Sequence, residues 1–546
     1  TEPCSLLHSC TQSLKLLPST FFSFDIYHVT QSHGWVFMPS LRIVTAMNDS
    51  EVLMNPNELV QFLKKNPADF TKDDIIRFCE ENGIEMVNFR YVAGDGKLKT
   101  LNFVISSKEY LDTILSVGER VDGSIIFPFI EAGSSDLYVV PRYGTAFVDP
   151  FAEVPTLDIL CSYYDNEGKP LASSPEYILR CARDAFKKNT GMDFKCLGEL
   201  EYYVICPEED LYPGLDQKGY HASGPFCKFE EMRTEAMLMV ARAGGQIKYG
   251  HSEVGCFTKD GYYYEQHEIE FLPTDPILAV EQIVIAKWVL RMLGYKYGVE
   301  VSYAPKITVG KAGSGLHFHM LAEKNGKNMM VKDGQLSDIA KRMIAGILDV
   351  GDAVTAFGNP IPTSYLRLVP HQEAPTYICW GDRNRSVVVR VPLGWTGSTD
   401  MAAEANFGIR RKVNKASKQT FEYRVADGSA DIYETVACLI IGAMHGLAMP
   451  DALEQAQKLY ASGNIFNAEY AAFLKTLRQL PTCCDESADV LLAKRALFEA
   501  DGIFPAGVID AQAKKLKAFG DKGLSDSLLG NTDAFAELVA RYLHVA

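Results

Sequence analysis

Long apolar runs are missing from this sequence. A membrane-spanning helix needs about 18 to 20 consecutive apolar residues. The best stretch, Val436 to Met449, is shorter, carries His445 and reads as a core helix. Positive charge is also scarce: the 546 residues carry a net charge of −15 at pH 7. That disfavours non-specific binding to nucleic acid or an anionic membrane, and leaves room for a local basic pocket. The 13 cysteines, an odd number, form no C-x-x-C pair. Neither a zinc ribbon nor a disulfide framework is expected; the pattern suits reduced, buried thiols in a cytoplasmic protein. Walker A and G-x-G-x-x-G loops, internal repeats and low-complexity tracts are absent as well.

What is present is ordinary globular composition, with 47% hydrophobic and 23% charged residues. This excludes a largely disordered or fibrous chain. At roughly 150 residues per domain the length allows three or four domains, although one large α/β domain can absorb most of it. The first 46 residues stand apart, with only Glu2, Lys15, Asp25 and Arg42 charged and no sustained periodicity. They read as an extension, either non-native or upstream-derived sequence before a start at Met47, or a docking arm. They lack the charged start and apolar core of a signal peptide.

A small α/β unit is expected over 47–150. Helical spacing covers 57–64 and 71–82, the second with Thr71 as N-cap and acids in its first turn. Met86–Val92 and 98–105 read as a hairpin around Gly94-Asp95-Gly96-Lys97. From 151 to 546 helices such as 174–188, 277–293 and 430–446 alternate with short strands, and the last hundred residues are mostly helical.

Four constellations stand out. Glu199-Leu200-Glu201 opens a strand-like run, and residues i and i+2 on a strand share a face. Two such carboxylates repel unless a cation lies between them; solvated acids at a strand end are the bland alternative. Gly313-Ser314-Gly315-Leu316-His317-Phe318-His319 sets two imidazoles at i and i+2 after a flexible turn. Between Asn359 and Pro392, Arg367, Glu373, Arg383, Arg385 and Arg390 lie among strand-formers. Buried arginines need anionic partners, whether phosphate or a structural ion pair. His251-Ser252-Glu253, Glu268, Glu270 and Phe421-Glu422-Tyr423-Arg424 add further acids and an arginine. Together they suggest divalent metal ions and a polyphosphate. A phosphatase or nuclease fits equally well at this level.

In this order the segments resemble the bacterial type of the glutamine synthetase family, over about residues 55 to 510. Gly198-Glu199-Leu200-Glu201, the 313–319 run, Arg367-Leu368-Val369-Pro370-His371-Gln372-Glu373-Ala374-Pro375, Arg383-Asn384-Arg385-Ser386 and Glu422-Tyr423-Arg424 carry the likeness. It implies an α+β protein: a small N-terminal β-grasp domain, then a large α/β catalytic domain. It also implies ATP-dependent ligation of ammonium to L-glutamate, in a homo-oligomer, a dodecamer, with sites between subunits.

By motif match Glu201, Glu253 and Glu268 would hold one Mg²⁺ or Mn²⁺, and Glu199, His317 and Glu422 a second. Gly313, Arg367 and Arg424 would grip glutamate, and Arg385 and Arg390 the transferring phosphoryl group. His319 would lie near the nucleotide, with Lys418 a weak candidate for its lysine. Glu373 would close a flap, Asp122 would take the proton from ammonium, and Tyr220 would line that pocket. The chain departs from the family at Ala312, Ile125, Ser252 and Leu321. The interval from Glu253 to Glu268 is longer than usual, with Lys259-Asp260-Gly261 as a hairpin turn, and another insertion spans Gly394 to Lys418.

Overall fold

The computed structural model describes residues 47–127, 130, 135–369, 374–392, 394, 400–408, 418–528 and 530–545, with a short strand pair between Thr20–Phe21 and Val44–Thr45. Helix starts follow local chemistry. Thr71 caps Lys72–Asn82 in a full capping box with Asp74, and Gly83 ends the helix in the left-handed region at φ 64°. The 174–188 periodicity becomes Pro175–Thr190, 277–293 becomes Pro276–Tyr297, and 430–446 becomes Ile432–Ala448.

The small unit is a six-stranded sheet: β1 (Met86–Val92), β2 (Leu98–Val104), β3 (Glu119–Asp122), β4 (Asp136–Pro141), β5 (Phe147–Val148) and β6 (Thr156–Tyr164). Their order is β2-β1-β6-β4-β3, with β5 on β6. β1 and β2 form the expected hairpin, and β1 pairs in parallel with β6. The sheet therefore continues past residue 150, because a parallel partner for β1 must come from a long crossover. Helices Lys72–Asn82 and Lys108–Val117 cover the sheet through a core that includes Ile75, Phe78, Leu111, Leu115, Phe89 and Ile159.

The large unit is built on a nine-stranded sheet. Its strands are β7 (Asp193–Pro207), β8 (Ile247–Lys259), β9 (Tyr262–Phe271), β10 (Glu300–Ser302), β11 (Leu316–Lys324), β12 (Lys327–Asn328), β13 (Trp380–Asp382), β14 (Val389–Val391) and β15 (Phe421–Tyr423). The order is β8-β9-β7-β11-β15-β14-β13, with β10 on β7 and β12 on β11. Pro276–Tyr297, Asp338–Gly358 and Ile432–Ala448 bury one face of it in the main core. The other face is left for side chains that carry charge. Every described cysteine is a free thiol, and no single described helix is long and apolar enough to cross a membrane.

Between Glu253 and Glu268 strands β8 and β9 run on as a hairpin. They turn at Asp260 (φ 53°) and Gly261 (φ 79°), two left-handed residues that suit a tight hairpin. Beneath this hairpin Glu265 is buried and accepts hydrogen bonds from the Tyr263 hydroxyl (2.8 Å) and the Lys228 and Phe229 amides (both 2.9 Å). His267 Nε2 lies 2.9 Å from the same carboxylate, and His267 Nδ1 lies 2.8 Å from an Arg233 guanidinium nitrogen. Burial alone would raise the Glu265 pKa, but His267 and the two amides bring it down to about 2. A depressed carboxylate stabilises the fold above its unfolded value and loses that contribution as pH falls through its folded value. We expect Glu265→Gln to cost about 1–3 kcal/mol at pH 7. In denaturant titrations the gap from wild type should close as pH falls from about 4.5 towards about 2.

Candidate active site

The charged face of the large sheet lines a cavity of about 780 Å³. Register builds it row by row. Glu201 on β7 lies opposite Glu268 on β9, which lies opposite His251 on β8. One step along, Glu199 lies between Glu270 on β9 and His317 on β11. His319 lies opposite Glu422 on β15, which lies opposite Arg390 on β14. The i, i+2 pairs Glu199/Glu201 and His317/His319 thus share one face, and all four line the cavity.

Two groupings of donor atoms match the chemistry of oxygen- and imidazole-binding cations. Glu199, His317 and Glu422 bring one ligand atom each within 4.8 Å of one another. This is the set expected for the second metal. Glu253 and Glu268 gather in the same way with His251, not with Glu201. Glu201 instead takes the Gly315 amide at 2.6 Å. Sequence reasoning did not assign His251 a site role, and its place beside Glu253 was the signal available. Burial pushes the His251 pKa down and favours the neutral, metal-binding imidazole.

The electrostatics fit a bound cation. Burial, then Glu199, Glu201, Glu253 and Glu270, push the Glu268 carboxyl well above the usual range. Negative charge is therefore in excess on this wall. At Glu199 burial acts in the same direction, but His319 and His317 overcome it and hold the carboxyl well below its ordinary value. His319 is raised in turn, because Glu199, 2.8 Å from its Nε2, outweighs the burial that would lower it. His319 Nδ1 lies 2.9 Å from the Thr420 hydroxyl.

Cations face this wall. Arg390 donates to Glu422 at 3.0 Å, and Arg424 contacts the other oxygen of that carboxylate. Arg367 is buried, donates to the Val425 carbonyl at 2.8 Å and lies 3.3 Å from His317 Nε2. Arg385 and Lys418 line the cavity, and Arg385 makes no ion pair among the described residues. Lys306, which sequence reasoning missed, also lines it; burial and Arg367 push its pKa down to about 8.

Gly313 is required by space. A Cβ there would sit 2.6 Å from the Pro305 carbonyl oxygen and 3.0 Å from Arg367 Cγ. We expect Gly313→Ala to displace Arg367 at a strain of about 1–3 kcal/mol. In thermal melts this should read as a lower unfolding midpoint than that of wild type.

Tyr220 lines the cavity and is half exposed. Its segment is fastened by Ser252, whose hydroxyl donates to the Gly219 and Ala222 carbonyls at 2.8 and 2.9 Å. Ser252 thus has a structural task. The Ala312 amide donates to the Gln217 side-chain oxygen, and its carbonyl accepts from the Tyr203 hydroxyl. Asp122 stands elsewhere, exposed on the small unit, with Ser124 N–H and O–H donating to it at 2.9 and 2.7 Å. It caps its turn and does not line this chain's own cavity. Glu373 and most of the Gly394–Lys418 insertion lie outside the described residues.

The chain thus places a small mixed sheet ahead of a large, mostly antiparallel one whose charged face carries acids, imidazoles and arginines. The family model of the glutamine synthetase catalytic domain matches residues 172–513, and that of the glutamine synthetase beta-Grasp domain matches 83–166. The chain belongs to the glutamine synthetase family.

A glutamine synthetase of Clostridium saccharobutylicum is 29% identical over 388 residues, covering 70% of this chain and 80% of the relative. One from Methanococcus maripaludis is 26% identical over 437 residues, covering 73% and 96%. Among solved structures, a cryoEM glutamine synthetase of Plasmodium falciparum aligns with a TM-score of 0.68 at 18% identity, over 83% of this chain and 96% of that one. Apo GmaS aligns with a TM-score of 0.64 at 18% identity, over 82% and 96%. At such identities these two structures support the fold alone.

Proposed function

We propose that this chain is a glutamate–ammonia ligase: it uses ATP to phosphorylate the γ-carboxylate of L-glutamate, and ammonia displaces phosphate from the γ-glutamyl phosphate. The observation that carries this reading is the gathering of acids and arginines in one cavity. Glu199, Glu201, Glu253, Glu268 and His317 line it together with Arg367, Arg385, Arg390 and Arg424, and buried Glu422 ties Arg390 and Arg424 to the acidic side. Phosphoryl transfer needs positioning and charge neutralisation more than covalent chemistry. Two or more Mg²⁺ or Mn²⁺ ions held by the acidic wall would supply part of that neutralisation on the nucleotide phosphates. Arg385 and Arg390 hold the transferring group, and Gly313, Arg367 and Arg424 orient glutamate. His319 and Lys418 stand at the nucleotide end, and Glu373 closes over the intermediate to exclude water.

Asp122 is exposed and away from its own chain's cavity. We assign it to the site of a neighbouring subunit in a cytoplasmic homo-oligomer, a dodecamer, where it would attract ammonium with Tyr220 and take its proton. The hydrogen bonds from Ser124 hold its carboxyl below the usual range, so it is anionic at neutral pH. Asp122→Asn should cut ammonium-dependent turnover by about 10²-fold or more. Hydroxylamine, largely uncharged at neutral pH, should be used with a much smaller loss. Equal slowing of both nucleophiles would leave Asp122 as a turn cap only.

A second reading, a γ-glutamyl ligase for an organic amine, is favoured by one observation. Ile125, three residues after Asp122, is 82% exposed, and an apolar side chain there suits an alkyl substituent better than ammonium. A catalytically silent ring-forming paralogue is disfavoured by the intact acid and arginine walls. Phosphate release dependent on ATP and glutamate, measured with ammonium and with polyamines, separates the three. Ammonium-driven release supports the first reading, polyamine-driven release the second, and none the third.

A further inference from the structure

Strand β8 is irregular where it reaches the cavity. Ile247 pairs with Phe271 and Tyr249 pairs with Glu270, so Lys248 is an extra residue in the ladder. A bulge of this kind breaks the alternation of faces and re-aims a side chain. Here both Lys248 and Tyr249 line the cavity, whereas a regular strand would send one of them to the opposite face. Lys248 Nζ contacts Glu270 and lies 4.9 Å from the centre of the Tyr249 ring.

Glu270 is 1% exposed, and its second oxygen is buried without a hydrogen bond of ordinary length. A buried carboxylate is costly unless a cation answers it. Among the described residues, Lys248 is the only lysine or arginine that β8 and β9 bring to the cavity. It stands at the His319 end. Glu270 lies opposite Glu199, while Leu197, also a lining residue, lies opposite His319. Ligand atoms of Glu199, Glu270 and His319 lie within 4.8 Å of one another, a donor set that a further divalent ion would suit. The lysine ammonium already occupies the Glu270 arm of that set.

We propose that Lys248 is a phosphate-binding residue of the nucleotide site, its tethered ammonium standing where a further divalent ion would otherwise stand on the polyphosphate, with Glu270 holding it in position. The proposal rests on the reading of this cavity as an ATP site. Lysine binds phosphate as a point charge on a flexible stem. Lys248 is 39% exposed at its side chain, so the stem is free to follow the phosphates. On this proposal Lys248 meets the β- and γ-phosphates and leaves the base to other residues.

The test is calorimetric titration of the full chain with Mg²⁺-ADP and with AMP, in wild type, Lys248→Ala and Lys248→Arg, together with a count of bound Mn²⁺ by electron paramagnetic resonance in the presence of ADP. Wild type should bind ADP more tightly than AMP; a wild type that binds neither overturns the ATP-site reading itself. Given that binding, Lys248→Ala should weaken ADP by about 10- to 100-fold and AMP by less than about threefold. Lys248→Arg should keep most of the affinity, and the alanine variant should bind one more Mn²⁺ per chain than wild type. ADP affinity within about threefold of wild type, or equal losses for ADP and AMP, overturns the phosphate role. An unchanged Mn²⁺ count in the alanine variant overturns the replacement of an ion.

Discussion

Replacing Glu199 with glutamine is expected to abolish turnover, with a loss of at least about 10²- to 10³-fold. Mg²⁺ or Mn²⁺ affinity should fall in the same variant. The size of the effect follows from position. Glu199 sits at the centre of the sheet, with Glu270 opposite it on one side and His317 on the other. Its two oxygens lie 3.1 Å from His317 Nδ1 and 2.8 Å from His319 Nε2. Both donor groupings at this end of the cavity include it. The neighbouring histidines keep it ionised despite burial, so the carboxylate is available as an anionic ligand at neutral pH. An amide preserves shape and removes the charge, which separates ligation from packing. Thermal melting near the wild-type temperature, with Mn²⁺ titration showing weaker binding, is the expected pair of results. Unchanged metal affinity and turnover would mean that the carboxylates and histidines satisfy one another without a metal.

The second large effect is expected at Arg385. Arg390 and Arg424 are engaged by Glu422, and Arg367 is fixed on backbone carbonyls. Arg385 is exposed to the cavity and makes no ion pair among the described residues. Its fold is set by neighbours: Asn384 donates to the Gly463 carbonyl at 2.6 Å and accepts from the Ser386 amide and hydroxyl. The guanidinium therefore contributes little to stability and is free for a phosphoryl group. Arg385→Ala should lower kcat by about 10²- to 10³-fold, the scale for one preorganised charge donor. The unfolding midpoint should be nearly unchanged. A loss below about threefold would make Arg385 a surface residue that merely borders the cavity.

Much of the architecture was legible where local chemistry decides it. The Thr71 capping box, the β1–β2 hairpin and the helices Pro175–Thr190, Pro276–Tyr297 and Ile432–Ala448 follow from periodicity and caps. The shared faces of Glu199/Glu201 and His317/His319 follow from the two-residue period of a strand. Long-range register was not legible. Nothing local to Glu268 says that it lies opposite Glu201, or that β6 joins the first sheet as a parallel partner of β1. Bulges were also hidden, because one extra residue changes the facing of Lys248 without any mark in composition. The same limit explains Lys306, which becomes a site residue only through its neighbours in space, and the particular groupings in which His251 and Glu270 fall.

The central claim is that glutamate is activated in this cavity as its γ-phosphate. The most direct measurement follows oxygen. Glutamate carrying ¹⁸O in its γ-carboxylate is incubated with the 546-residue chain, ATP, Mg²⁺ and ammonium, and the released phosphate is weighed by mass spectrometry. If the carboxylate attacks the γ-phosphorus and ammonia then displaces phosphate, each phosphate formed carries one oxygen from glutamate. Phosphate release without that label would show that water, and not glutamate, accepts the phosphoryl group, and would contradict the account.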